Sequence, residues 1–308
     1  MSAAEGLNQQ ISIDPKDYED CLGALEHQLI INGIKAEIRL HYIKFDGNGQ
    51  PMVKALANML YNQIIEYCIS SRNRPEQLDS KQAAKLTKEA RQLFRHPQVT
   101  DSSPDKTGEA GELLLYFLVE SVLKAPQIVS KMELKTNHKD EVKGSDGIHA
   151  KYNEEEGIIE FYFGESKLYK SSSDAISAAI ESIDQFHNIQ MDEHEYTMVT
   201  KHFKYANEEL KEAISSFIVH GKPGSNVRVN HACLIGYDFN GYNSLSGDSP
   251  KALLEDFLTK FLADGTRLTN LVQNKFDSFS KKHLFFDVFF IPFPSVVDFR
   301  NAFNEALD

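Results

Sequence analysis

Residues 144–167 constrain this chain more than any other stretch. They begin Gly144-Ser145-Asp146-Gly147-Ile148-His149-Ala150-Lys151-Tyr152 and pass through the acidic turn Asn153-Glu154-Glu155-Glu156-Gly157. Ile158-Ile159-Glu160-Phe161-Tyr162-Phe163-Gly164-Glu165-Ser166-Lys167 follows. Two β-type runs around such a turn predict an antiparallel hairpin. With 154–157 as the loop, symmetric pairing sets Tyr152 against Ile159, Ala150 against Phe161, Ile148 against Phe163 and Asp146 against Glu165. Directly opposed residues have Cβ atoms roughly 4.5–5.5 Å apart. Two carboxylates at that separation repel, and a divalent cation is the obvious group to offset the cost. Lys167 follows Glu165 on the same face, about 6.6 Å further along the strand.

The same register makes a second statement. One face carries Asp146, Ile148, Ala150 and Tyr152 with Ile159, Phe161, Phe163 and Glu165, and the other carries Gly147, His149 and Lys151 with Glu160, Tyr162 and Gly164. The first face is apolar except at the end that holds the two acids. An apolar face that a helix must cover therefore delivers both carboxylates to its rim. The plain alternative is a solvated acidic edge with a surface lysine. Register and burial favour the metal site, provided no β-bulge shifts the pairing.

At 308 residues the chain has room for one large domain or a core with an accessory region. A net charge of −12 argues against a protein that coats nucleic acid unaided, though not against an enzyme with a local basic rim. No apolar run is long enough to span a bilayer, and residues 1–11 lack the features of a signal peptide. Cys21, Cys68 and Cys233 are far apart and match no zinc pattern, which suits a reducing cytoplasm.

Periodicity and breakers outline the rest. Residues 1–20 read as loosely ordered. Ile34–Tyr42 alternates as a half-buried strand. A helix runs from Pro51 to about Ile69, with Val53, Leu56, Leu60 and Ile64 inward, and a second spans about Ser80–Phe94. The Ser/Asp/Pro stretch 99–106 is the expected boundary, dividing an N-terminal accessory region (1–98) that can dock a partner from a core domain (99–308). Beyond it come a buried helix from Gly108 to Lys124, a strand at Ile128–Leu134 and the hairpin. A helix capped by Ser171–Asp174 follows, with Ile176, Ala179, Ile180, Ile183 and Phe186 as its buried stripe. One or two helices occupy about 193–220, then a strand 227–237, a helix 250–276 with a possible break at Gly265, a strand 283–291 and a closing helix 295–307. This order predicts an α/β domain around one mixed central sheet flanked by helices.

Glu109 and Glu112 share a face at the start of the buried helix. Glu112 lies nearer the apolar run and is the preferred third carboxylate. Glu109 is assigned to offsetting the helix macrodipole. His149 falls on the face opposite Asp146, so a structural role or contact with nucleic acid suits it better than metal ligation. Lys131, Lys135, Lys139, Lys143 and Lys170 surround the candidate acids in sequence and can hold phosphates, although each alone reads as an ordinary surface lysine.

Together, Glu112 within Gly111-Glu112-Leu113-Leu114-Leu115-Tyr116-Phe117-Leu118-Val119-Glu120, the run Gly144–His149 and Gly164-Glu165-Ser166-Lys167 resemble the HamA family, the nuclease subunit of the Hachiman anti-phage system. The motifs lie within about residues 107–190. The resemblance implies a PD-(D/E)xK-like core and a metal-dependent DNase that works with a HamB-like helicase, which restrains it until foreign DNA is processed. Asp146 and Glu165 then match the metal-binding carboxylates, Lys167 the catalytic lysine and Glu112 the first-helix glutamate. Ser145 stands where the general nuclease motif often has proline.

On that basis Mg²⁺ or Mn²⁺ is expected on Asp146, Glu165 and the backbone carbonyl of Ser166, with waters completing the shell. Glu112 would hold a second ion or order an outer water. Lys167 would orient the attacking water or stabilise charge at the phosphate. Two rivals stand beside the DNase: a non-catalytic nuclease-fold scaffold or sensor in a defence complex, and a metal-dependent hydrolase of RNA or nucleotides. A Ser/His/Asp hydrolase lacks its Gly-x-Ser-x-Gly elbow here, and no phosphate-binding P-loop occurs, so ATP hydrolysis would come from another subunit.

Overall fold

The computed structural model describes residues 4–75, 77–94, 108–135 and 144–308. In chain order its strands are β1 (Leu22–Leu25), β2 (Lys35–Ile43), β3 (Gln127–Val129), β4 (Ile148–Asn153), β5 (Ile158–Tyr169), β6 (Ile218–Val219), β7 (Lys222–Pro223), β8 (Val227–Asp238) and β9 (Phe285–Phe293). Seven of them form one mixed sheet in the order β1-β2-β9-β8-β5-β4-β3, and β6 and β7 form a small separate hairpin. Helices flank the sheet, which bears out the mixed α/β class. Among the described residues no helix is long and apolar enough to cross a membrane.

Two compact units share the chain. One comprises Met1–Ile13, Asn62–Glu165 and Gln185–Asn230, and the other comprises Asp14–Tyr61, Ser166–Asp184 and His231–Asp308. Each unit draws residues from both sides of position 98/99. The linker proposed at 99–106 lies outside the described residues.

In the first unit the β4–β5 ladder has the expected register: Ile148 faces Phe163, Ala150 faces Phe161 and Tyr152 faces Ile159. Phe161 and Phe163 pack against Tyr196, and Phe163 also against Phe186, with ring centroids 5.2–5.7 Å apart. These rings, with Ile128, Val129, Ile148 and Ala150, make one buried cluster. The other side of the hairpin meets the Glu109–Leu118 helix. Tyr116 lies 5.9 Å from the His149 ring, and a Cβ added at Gly164 would come 3.0 Å from Leu115 Cδ2. That helix is buried nearly all round, as its apolar run predicts, and it closes in a wide π turn at Val119–Leu123.

Several sequence expectations change here. The strand expected at 128–134 is only three residues long. Ser130 Oγ then donates to the carbonyls of Tyr67 and Cys68, and the chain leaves the sheet in a turn at Met132–Leu134. Residues 4–20 are not loose. Leu7 is buried, Asn8 exchanges two 2.9 Å bonds with the Tyr152 backbone, and Ser12 donates to the buried Glu120 carboxylate. Asp14 caps a helix at Pro15–Cys21, with proline at its first position.

The second unit holds the parallel β2–β9 pair, in register from Lys35↔Phe285 to Leu40↔Phe290. The Pro250–Asp277 helix covers it and runs unbroken through Gly265. A Cβ at that glycine would stand 2.7 Å from Leu40 Cδ1. Gly265 is therefore a point of close approach to β2, not the break that its helix propensity suggested. The helix expected over 51–69 divides instead at Gln63, giving Val53–Asn62 and Ile64–Cys68.

Candidate functional site

The candidate residues sit where the hairpin ladder ends. Beyond Ile148 the symmetric pairing fails by one residue. Asp146 N–H donates to the Gly164 carbonyl (2.8 Å), and Gly164 N–H donates to the Gly147 carbonyl (2.9 Å). Two residues of one strand thus oppose one of its partner, which is a β-bulge. Asp146 is not set squarely across from Glu165 as regular pairing requires. Glu165 follows Gly164 on β5 and is 9 % exposed. Ser166 and Lys167 continue the same strand, which leaves the first unit for the second between 165 and 166.

The bulge relates Asp146 to the first turn of the Glu109–Leu118 helix. Burial, first, and then the negative charge of Asp146 push the Glu112 carboxyl up to about 8. Glu109 adds to that rise, while Lys135 and the Tyr67 hydroxyl, which donates to Glu112 Oε2 at 3.4 Å, oppose it. Desolvation makes a lone carboxylate costly, and a second one nearby compounds the cost. Tyr67 is itself pushed far up, by burial and then by Glu112. Glu109 is buried in an ion pair with Lys135 (2.9 Å), a firmer role than tempering the helix dipole.

The negative charge of Asp146 is thus felt at Glu112. Among the described residues no three His, Cys, Asp or Glu side chains are grouped so as to hold an ion between them. The donors present are hard oxygens, the kind Mg²⁺ and Mn²⁺ take. Magnesium commonly uses only one or two protein carboxylates and fills its shell with water and substrate phosphate.

Other residues resolve differently from their sequence reading. His149 is buried, its Nδ1 lies 2.9 Å from the Ala125 carbonyl, and burial pulls its pKa down to about 3, so it is a neutral structural residue and not a phosphate contact. Lys131 and Lys135 are committed to carboxylates and are not surface phosphate grips. Lys139 and Lys143 lie outside the described residues. Lys170 is exposed beside Ser171–Ser173, as a surface lysine should be.

Sequence reasoning missed the support beneath the Asp146 turn. Glu195, on the Met191–Lys201 helix, is fully buried. Its Oε1 accepts from Lys131 Nζ (2.5 Å) and the Ser145 amide (2.7 Å), with the Ser145 hydroxyl oxygen 3.3 Å away. Lys131 also donates to the Ser145 carbonyl at 2.6 Å. Lys131 and Glu195 are 64 positions apart, so no local pattern could have announced the pair. The apolar Tyr196 and Val199, which bury that helix, were the available hint.

The protein so defined is a mixed-sheet α/β protein with a pair of interacting carboxylates where a bulged hairpin meets a buried helix. The HamA family model matches residues 18–307, nearly the whole chain, and the chain belongs to the HamA family. Membership gives it a role in the Hachiman anti-phage defence system and a partner within that complex. A search of curated proteins returned no match.

Proposed function

We propose that this protein is the DNase effector of its Hachiman system, a Mg²⁺- or Mn²⁺-dependent phosphodiester hydrolase restrained by a HamB-like helicase. The observation that carries the reading is the coupling of Asp146 to Glu112, two carboxylates whose repulsion a bound cation would relieve. The hard-oxygen donor set and HamA membership support it.

Asp146 and Glu165 would hold the ion together with the Ser166 carbonyl. A divalent ion in such a site supplies charge neutralisation at the scissile phosphate and a more acidic water. Lys167, two residues past Glu165, orients the attacking water and offsets negative charge as it grows on the phosphate oxygens. Glu112, with its elevated pKa, can keep a proton near neutral pH or order a water next to the ion. The net charge of −12 fits a subunit to which a helicase presents DNA, better than one that finds DNA alone.

Nicking of supercoiled plasmid tests this reading, with Mg²⁺, Mn²⁺ or EDTA and with or without the helicase. Cleavage that requires the ion and is suppressed by the helicase is the expected result. No cleavage in any combination would leave the alternative: a nuclease-fold scaffold or sensor within the complex. Parallel RNA and nucleotide substrates separate a DNase from a broader hydrolase.

A further inference from the structure

A buried ion pair is a poor source of stability, because desolvation consumes most of the Coulombic gain. Lys131 and Glu195 form such a pair, and what they hold is distinctive. The Ser145 amide donates to Glu195, the Ser145 carbonyl accepts from Lys131, and the Ser145 hydroxyl donates to the Gly147 carbonyl at 3.0 Å. Every polar group of the residue before Asp146 is thereby engaged. Gly144 has φ +112°, and a Cβ there would lie 1.8 Å from Glu195 Oε1, so only glycine lets the backbone pass this carboxylate. On its other side Asp146 is tied to Gly164.

We infer that Lys131 and Glu195 are positioning residues, a buried clamp that fixes the 144–147 turn and so sets where the Asp146 carboxylate stands. The consequence for catalysis rests on the nuclease reading above; the clamp itself does not. The inference also gives Ser145 a reason to replace proline: proline has no N–H to donate to Glu195. Glu195 Oε2 has no hydrogen-bond partner among the described residues, so the carboxylate bonds through Oε1, to Lys131 and Ser145.

The test compares wild type with Lys131→Met/Glu195→Leu, which replaces the ions by apolar side chains, and with Ser145→Pro, which deletes both the amide and the hydroxyl donor of residue 145. Hydrogen exchange at the Asp146 and Gly147 amides is read in all three and does not depend on activity. Both variants should exchange there at least about tenfold faster while retaining the wild-type circular dichroism. If plasmid nicking occurs, the Mg²⁺ needed for half-maximal rate should rise about 10- to 100-fold, the usual cost of disturbing an outer-shell support. Neither variant should lower the residual rate further when Asp146 is already Asn. Wild-type exchange in both variants would overturn the clamp, as would additive losses in the Asp146→Asn background. If the double variant does not fold, Ser145→Pro decides the matter. Absence of nicking by wild type would count against the nuclease reading alone, since the exchange measurement still judges the clamp.

Discussion

Glu112→Gln isolates the electrostatic cost built into the site. The Glu112 carboxyl is raised from 4.5 to about 8, by burial foremost and then by Asp146. An acid whose folded pKa exceeds its unfolded value keeps its proton longer in the folded state. Below pH 4.5 both states are protonated and the group is neutral to stability. Between 4.5 and 8 the folded protein holds more protons, so stability falls as pH rises, and above 8 the full penalty applies. At about 1.36 kcal/mol per pKa unit the ceiling is about 5 kcal/mol, and the partial exposure of Glu112 screens this to about 2–3 kcal/mol. Glutamine keeps the shape and cannot ionise. In EDTA, urea unfolding of wild type and Glu112→Gln should give equal stabilities near pH 4.5. By pH 9 the variant should be about 2–3 kcal/mol more stable. Added Mg²⁺ should stabilise wild type at pH 9 more than the variant, because the ion replaces the proton as the carboxylate's partner. Parallel stability profiles for the two proteins across this range would refute the reasoning.

Three further outcomes can be checked directly. Asp146→Ala and Lys167→Ala should each cut plasmid nicking at least about 100-fold with no loss of circular dichroism, and wild-type nicking by either would remove that residue from the site. Asp146→Asn should bring the Glu112 titration down towards the usual glutamate range, as followed by carboxyl carbon chemical shift; an unmoved midpoint would show that the two acids do not interact. Gly144→Ala should destabilise the protein by about 1–3 kcal/mol, because φ +112° is strained for alanine and the methyl group would overlap Glu195; a neutral effect in urea unfolding would contradict the turn geometry.

Local regularity made the hairpin legible. Period-two alternation and a Gly-ended acidic turn leave a single register that buries Ile148, Ala150, Phe161 and Phe163 together, and that register is the one observed. The apolar run after Glu112, the serine cap at 171 and the breaker residues likewise encode their elements within a few positions of sequence. Asp14-Pro15 is just as local a signal for a capped helix, set among polar neighbours. The family, too, was legible in the short motifs around Glu112, Asp146, Glu165 and Lys167, and the HamA model matches residues 18–307.

Tertiary structure decided what depends on partners distant in sequence. The bulge at Asp146 is one such feature: alternation alone carries the pairing on to Glu165, while Glu195, from a helix fifty residues later, holds the preceding residue. The parallel pairing of β2 with β9 joins segments about 250 residues apart, and Gly265 reads as a helix break until Leu40 is seen against it. Sequence by itself determined which side chains could do chemistry, because chemistry belongs to residue type and short-range spacing. Their placement depended on desolvation, close packing and ion pairing, and those energies exist only once remote parts of the chain have met.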